Sequence, residues 1–276
     1  MFEDITKVVL LSDMDGTLLN SRKEISDTDR RAIEKFMSLG GKFTVATGRT
    51  IQSFGSYRSM MELKMPLIMY NGAAIYDYNT DKVLYSQPLP PEAKQITREI
   101  LDALPQAGGE ILKADGTYVI RNNDYEELHT KLCRIEPFYS ELDEVSEGDW
   151  LKVLFAMAPE DIPQIEIFVK QKNYNIVSFV KSSEIFCEML PLGITKGSAL
   201  AEYRRLEGLE NHTFVAIGDF DNDIEMLREA DLGAAPANAE ESVKRAADLV
   251  LKNSCETGAV AELIEYIIEK CGDKYE

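Results

Sequence analysis

The sequence predicts an α/β protein: a Rossmann-like, doubly wound parallel sheet interrupted by an inserted α+β unit. Three observations lead there. Short apolar runs alternate with helix-like segments over residues 7–76, the texture changes between about 82 and 190, and the alternation resumes from Lys196. Strand and helix in strict alternation is the pattern of βαβ units, which feed parallel sheets.

Each element has a local reason. Lys7 to Ser12 is an apolar run that predicts the first strand. Ser26 followed by Asp29 resembles a helix N-cap with an acid in the first turn, Ile33, Phe36 and Met37 recur at helical spacing, and Gly40-Gly41 supplies the stop. Lys42 to Ala46 predicts a second strand ending at Thr47-Gly48-Arg49, Thr50 to Leu63 a helix, and Leu67 to Tyr70 a strand ending in an Asn71-Gly72 turn. In the next hundred residues, "ADGTYVIR", "DWLKVLFAM" and "EIFCEML" read as strands, and Pro91 to Leu104 and Pro159 to Lys172 as helices. Lys196 to Glu207, Asn222 to Glu229 and Gly258 to Cys271 then read as helices, with strands at Thr213 to Ile217 and near Leu232. The expected organisation is a discontinuous core of residues 1–82 and 191–276 with a second domain of residues 83–190.

Composition narrows the function classes. A chain of 276 residues, 45% apolar and 28% charged, buries a sizeable core. Its formal charge of −18, without a lysine or arginine cluster, makes nucleic acid and anionic membranes poor partners. The apolar runs are far shorter than the ~20 residues a bilayer span needs. "MFEDITK" lacks the basic start of a secretory signal, and Cys133, Cys187, Cys255 and Cys271 show neither a C-x-x-C pair nor metal-ligand spacing. A cytoplasmic protein, monomeric or a small homo-oligomer, is expected.

The chemistry lies in the acids. Ligands of open parallel sheets bind beyond the carboxyl ends of the strands. Three such ends are polar here: Asp13-Met14-Asp15-Gly16-Thr17, Thr47-Gly48-Arg49, and Gly218-Asp219-Phe220-Asp221-Asn222-Asp223. Two carboxylates about 4 Å apart repel by roughly 4 kcal/mol at an effective dielectric of 20, a cost that a bound cation removes. Mg2+ takes hard oxygen ligands from one or two carboxylates, a carbonyl and a substrate phosphate. An aspartate, ionised at neutral pH with a reference pKa of about 3.9, attacks phosphorus without a partner to deprotonate it, which suits Asp13. Asp15, where Gly16 lets the chain turn, suits the acid that protonates a leaving alcohol and later takes a proton from water.

"DMDGTLL", "ATGRT", "GITKG" and "GDFDNDIEML" resemble, in order and spacing, the four motifs of the haloacid dehalogenase superfamily of phosphatases. The insertion at 83–190 resembles a type C2 cap, and the nearest group is the Cof-type sugar-phosphatase-like hydrolases. The resemblance implies an aspartyl-phosphate on Asp13, acid/base work by Asp15, and Mg2+ held by Asp13, the Asp15 carbonyl and Asp219. It implies further that Thr47 and Gly48 bind the transferring phosphoryl group, that Lys196 neutralises nucleophile and phosphate, that Asn222 reaches phosphate or a metal-bound water, and that Asp223 braces metal waters or Lys196. The expected substrate is a small phosphorylated metabolite, with sugar phosphates foremost.

Several residues carry blander readings. Arg49 serves the leaving group or a surface acid with equal claim, Asn71 is first a turn former, and Asp221 reads as a solvated charge. "APANA", Ala235 to Ala239, departs from the family's Met-Gly-Asn-Ala at Pro236 and Ala237 and keeps Asn238. His129 and His212, with no serine or cysteine nucleophile evident nearby, read as surface or loop residues, Trp150 as core sooner than pocket, and Lys181 to Glu184 as a polar loop. Two other functions compete. A phosphomutase needs an arginine-rich second phosphate site, and residues 83–190 hold only Arg98, Arg121 and Arg134, scattered. A phospho-accepting receiver module needs its phosphoryl group to persist, which a carboxyl at position 15 opposes.

Overall fold

Val8–Ser12 forms β1, buried at every position, as expected for a strand covered on both faces of a sheet. The computed structural model describes residues 2, 4–60 and 63–272. After β1 come α1 (Asp27–Ser38), β2 (Lys42–Val45), α2 (Ile51–Gly55), β3 (Leu67–Met69), β4 (Ala74–Asp77) and β5 (Lys82–Ser86). Ser26 caps α1 by accepting from the Asp29 amide. The helix predicted over Thr50 to Leu63 is shorter: a Thr50/Ser53 capping box starts it, and it ends at Gly55, a poor helix former, before a separate 3-10 turn at Arg58–Met60. Residues 61–62 of that expectation lie outside the described residues. β3 is followed by a 3-10 turn, Tyr70–Gly72, with Asn71 left-handed at φ 55°.

The chain continues through α3 (Ala93–Ala103), β6 (Gly108–Lys113), β7 (Thr117–Arg121), α4 (Asp124–Cys133), β8 (Phe138–Tyr139), β9 (Trp150–Ala156), α5 (Ile162–Lys172), β10 (Val177–Ser183) and β11 (Phe186–Pro191). It then returns through α6 (Lys196–Leu206), β12 (Thr213–Ile217), α7 (Ile224–Glu229), β13 (Leu232–Ala235), α8 (Glu241–Ala246), β14 (Leu249–Val250) and α9 (Ala259–Lys270). Two units result. The first comprises Met1–Thr47, Tyr57–Leu84 and Thr195–Glu276; the second comprises Gly48–Ser56 and Tyr85–Ile194. Among the described residues no helix is long and apolar enough to cross a membrane.

In the first unit a parallel sheet has the order β14-β13-β12-β1-β2. A small sheet, β3-β4-β5, adjoins through a parallel bridge between Ala46 and Ile68. The register sets Ser12 beside Ile217, so the residues just after β1 and just after β12 emerge side by side at the carboxyl edge. Helices α1 and α9 bury one amphipathic face each: Ile33 and Phe36 from α1, Leu263, Ile264 and Ile267 from α9.

The second unit has a six-stranded sheet of order β10-β11-β9-β6-β7-β8, antiparallel except for β7 with β8. Its core gathers Ile100, Ile111, Val153, Phe155, Ile165 and Met189. Trp150 joins that core, with its indole Nε1 donating to the Ser146 carbonyl at 2.6 Å. Lys181 to Ser183, read from sequence as a loop, end strand β10 instead. Helix α4 was not apparent in the sequence pattern. Asn123 caps it and Asp124, Glu126 and Glu127 occupy its first turn, but its hydrophobic periodicity is weak.

A buried ion pair crosses this sheet. Lys152 Nζ donates to Glu188 Oε1 at 2.8 Å and to the Gly48 carbonyl at 2.9 Å, and Ser182 Oγ donates to the same Glu188 oxygen at 2.8 Å. Removing one partner of such a pair strands a desolvated charge, whereas replacing both is close to neutral. Lys152→Met is therefore expected to destabilise the protein by about 3–5 kcal/mol in urea unfolding, and adding Glu188→Leu to recover most of the loss.

Candidate active site

The β1–β12 register fixes the first two acids. The Asp13 amide donates to the Ile217 carbonyl at 2.9 Å, and Asp219 follows two residues after that strand. Gly16, at φ +86°, turns the chain just after Asp15 and packs against Asp219; a Cβ there would lie 2.4 Å from Asp219 Oδ2. Thr17 Oγ1 donates to Asp219 Oδ1 at 2.6 Å, and Asn238 Nδ2 holds the Gly16 carbonyl at 2.8 Å. The retained asparagine of the "APANA" segment thus braces the first acidic loop.

Lys196 opens α6, whose cap is a Thr195/Ser198 capping box. Its ammonium is almost fully buried and donates to Asp13 Oδ1 at 2.5 Å and to Asp223 Oδ1 at 2.7 Å. The other Asp223 oxygen accepts from the amides of Asp219 and Phe220 at 3.0 and 3.1 Å, so this one carboxylate both shapes the acidic loop and pairs with the lysine. Gly72 packs against the start of α6 so closely that a Cβ would fall 2.1 Å from the Thr195 carbonyl. That contact carries Asn71 to Asn222, whose Nδ2 donates to Asn71 Oδ1 at 3.0 Å. Asn71 is therefore more than a turn former.

One oxygen from each of Asp13, Asp219 and Asp223 lies within 4.8 Å of the others. Burial raises the Asp13 carboxyl well above its ordinary value; Lys196 pulls it down, while Asp223 and Asp219 push it up. Asp219 is pushed up to about 7, by burial first and then by Asp223, against the Thr17 hydrogen bond. Lys196 is raised despite burial, because Asp13 and Asp223 favour its charge. Three carboxylates around one ammonium leave an excess of negative charge in a poorly hydrated place. Such a donor set, hard oxygens converging and mutually repelling, fits a divalent cation.

The remaining sequence-predicted residues are placed as follows. The Asp15 carboxylate lies outside the three-acid group and accepts from Lys23 Nζ at 2.7 Å. Thr47 is buried beside the β3 end, its amide donating to the Ile68 carbonyl at 2.9 Å and its carbonyl accepting from the Asn71 amide at 3.1 Å. Gly48 and Arg49 belong to the second unit, where Lys152 holds the Gly48 carbonyl. Asp221 accepts from Ser242 Oγ at 2.6 Å. Sequence reasoning missed Thr17 and Lys23. Thr17 had a signal, as the last residue of Asp-x-Asp-Gly-Thr; Lys23, held at φ 60°, had none.

A strand-end carboxylate paired with a buried lysine beside two further acids, at the carboxyl edge of a parallel α/β sheet, is an arrangement compatible with a hydrolase. The family model described as haloacid dehalogenase-like hydrolase matches residues 10–264, and the chain belongs to that family. It is 28% identical over 271 residues to 5-amino-6-(5-phospho-D-ribitylamino)uracil phosphatase YcsE of Bacillus subtilis, covering 96% of this chain and 98% of that one. It is 26% identical over 272 residues to pyridoxal phosphate phosphatase YbhA of Escherichia coli, covering 94% and 97%. Among solved structures, a haloacid dehalogenase-like hydrolase from Bacteroides thetaiotaomicron superposes with a TM-score of 0.81 at 25% identity, over 94% of this chain and 98% of that one.

Proposed function

We propose that the protein is a Mg2+-dependent phosphatase that hydrolyses small phosphorylated metabolites, sugar phosphates foremost, through an aspartyl-phosphate. The observation that carries this reading is the Lys196 ammonium clasped between Asp13 and Asp223 with Asp219 alongside. Relatives named for a ribitylamino-uracil phosphate and for pyridoxal phosphate support the substrate class. The inserted segment, 83–190, is assigned the role of a specificity-setting cap.

In the first half-reaction an Asp13 oxygen attacks phosphorus, the bond to the leaving alkoxide breaks, and Asp15 supplies the proton. In the second, Asp15 takes a proton from water, the hydroxyl adds to phosphorus, and the bond to Asp13 breaks to release inorganic phosphate. Lys196 offsets charge on nucleophile and phosphate throughout, and the Thr47 hydroxyl with the Gly48 amide is assigned to the equatorial oxygens. Asp13, Asp219 and the Asp15 carbonyl are assigned to hold Mg2+, with Asp223 bracing its waters and Asn222 turned to phosphate. When bound, the cation supplies charge neutralisation at the transferring phosphoryl group. No disulfide joins the four cysteines, which supports a reducing, cytoplasmic setting.

Steady release of inorganic phosphate from p-nitrophenyl phosphate, dependent on Mg2+ and needing no bisphosphate primer, tests the reading; a bisphosphate requirement would favour a mutase. A panel of phosphorylated metabolites then ranks substrates.

The raised Asp219 carboxyl adds a pH prediction. Without metal, the folded protein keeps this proton up to about pH 7, while the unfolded chain loses it near the ordinary value of 3.8. The native state binds more protons between those limits, so this group's contribution to stability falls as pH rises through that window and is level above it. Mg2+ displaces the proton. It is expected to raise the thermal unfolding midpoint more near pH 8 than near pH 5, and an equal rise at both would contradict the assignment of Asp219.

A further inference from the structure

We infer that Cys133, His129 and Glu110 of the inserted unit form a reactive-thiol site, in which the imidazole takes the Cys133 proton and the thiolate forms a mixed disulfide with a small disulfide molecule. The inference does not depend on the phosphatase reading. Its starting point is a correction: His129, expected on the surface or in a loop, lies on α4 with its ring largely buried, and Cys133 follows one helical turn later on the same face.

The imidazole is held on two sides. Its Nδ1 lies 2.8 and 3.0 Å from the two oxygens of Glu110, a fully buried residue of β6, and the Phe186 ring meets it edge-on with centroids 4.9 Å apart. Cys133, one helical turn on, bears on the ring, its sulfur being among the groups that favour the protonated imidazole. Thiol, imidazole and orienting carboxylate in that order is the arrangement that activates a sulfur nucleophile: the carboxylate fixes the ring and favours its protonated form, which stabilises the thiolate. Burial opposes protonation of His129, but Glu110 and Cys133 outweigh it and raise the ring above its ordinary value.

The titratable groups on the neighbouring elements do not all act in one sense. On α4 itself Glu126 is fully buried against Glu110. Burial and Glu110 push its pKa up to about 8, against His129, so at neutral pH it is held as the neutral acid and the charge beside the ring is that of Glu110. From β9 the only titratable side chain is Lys152, committed to Glu188 and the Gly48 carbonyl; from β11 the only carboxylate is Glu188, committed to Lys152 and Ser182. The opposing influence is the position of Cys133 at the carboxyl end of α4, where the helix dipole disfavours an anion.

The other three cysteines give the contrast. Cys187, Cys255 and Cys271 are buried, and burial raises all three thiols, Cys187 to about 12, whereas Cys133 is partly exposed. In the proposed step the Cys133 sulfur attacks one sulfur of the disulfide. A new S–S bond forms, the old one breaks, and the departing thiolate takes the proton held on His129, so that a thiol and a mixed disulfide are the products.

The test uses the full-length protein and dithiobis-nitrobenzoate, whose released thiolate is read by absorbance, with the labelled residue identified by peptide mass spectrometry. One thiol per chain, Cys133, is expected to react at neutral pH at least about tenfold faster than free cysteine, and His129→Asn to remove that advantage. The unmodified protein provides an independent readout. An ordinary thiol loses rate roughly tenfold per pH unit below about 8.5, while Cys133 is expected to hold its rate well below pH 7. A free-cysteine rate with an ordinary pH profile, or preferential labelling of another cysteine, would overturn the inference.

Discussion

Asp13→Asn is expected to lower turnover of p-nitrophenyl phosphate by at least about 10^4-fold, equivalent to ~5.5 kcal/mol of transition-state stabilisation. The substitution preserves shape but removes the oxygen that attacks phosphorus in the proposed mechanism; among the described residues the other carboxylate bonded to Lys196 is Asp223, whose second oxygen is spent on the Asp219 and Phe220 amides. A residue that forms the covalent bond is not compensated by its neighbours, so the loss falls on kcat. The same change relieves repulsion. Burial, and then Asp223 and Asp219, raise Asp13 against the pull of Lys196, and without metal its neutral replacement is expected to leave the unfolding midpoint unchanged or higher. The pairing of lost activity with retained stability distinguishes a nucleophile from a structural acid. Turnover within tenfold of the parent protein would remove Asp13 from the chemistry.

Lys196→Met carries the second large effect, and here activity and stability fall together. Lys196 is buried and answers two carboxylates at 2.5 and 2.7 Å. Methionine fills comparable space but leaves two acids desolvated without their cation, a loss of about 3–5 kcal/mol. In the proposed mechanism neutralisation of the phosphoryl group is lost as well, for a further expected drop of about 10^2–10^3-fold in kcat. Mg2+ is expected to recover part of the stability and little of the rate, because a cation among Asp13 and Asp219 offsets their charge without replacing the ammonium. Lys196→Arg offers a finer check: the guanidinium keeps the charge but needs more room than a site with 1% exposure provides. Full activity in that variant would mean that bare charge, and not its position, is what the site requires.

The core was readable because its strands are buried on both faces and therefore appear as unbroken apolar runs, as Val8–Ser12 does, each ending in a polar cluster. The acids were readable because the Asp-x-Asp-Gly-Thr and Gly-Asp-x-Asp-Asn-Asp clusters have spacing that a bare turn does not need. What escaped depends on partners remote in sequence or on weak periodicity. Helix α4 has a cap and an acidic first turn but little apolar stripe, so His129 on it seemed exposed until the structure placed it on Glu110, 19 residues upstream. The Lys152–Glu188 pair spans 36 residues, and the Asn71–Asn222 bond 151. Thr50 to Leu63 looked helical throughout, yet Gly55 ends the helix because glycine loses more backbone freedom than the following turn repays.

The pairing of β1 with β12 has a consequence for biosynthesis. The first carboxylate is made early, but the ammonium that answers it comes 183 residues later, after the whole inserted unit has been translated. In a nascent chain Asp13 therefore has no ammonium to pair with until the inserted unit and the start of α6 have been made. Long loops must close before that neighbour arrives, which makes assembly of the central sheet the slow, non-local event in maturation.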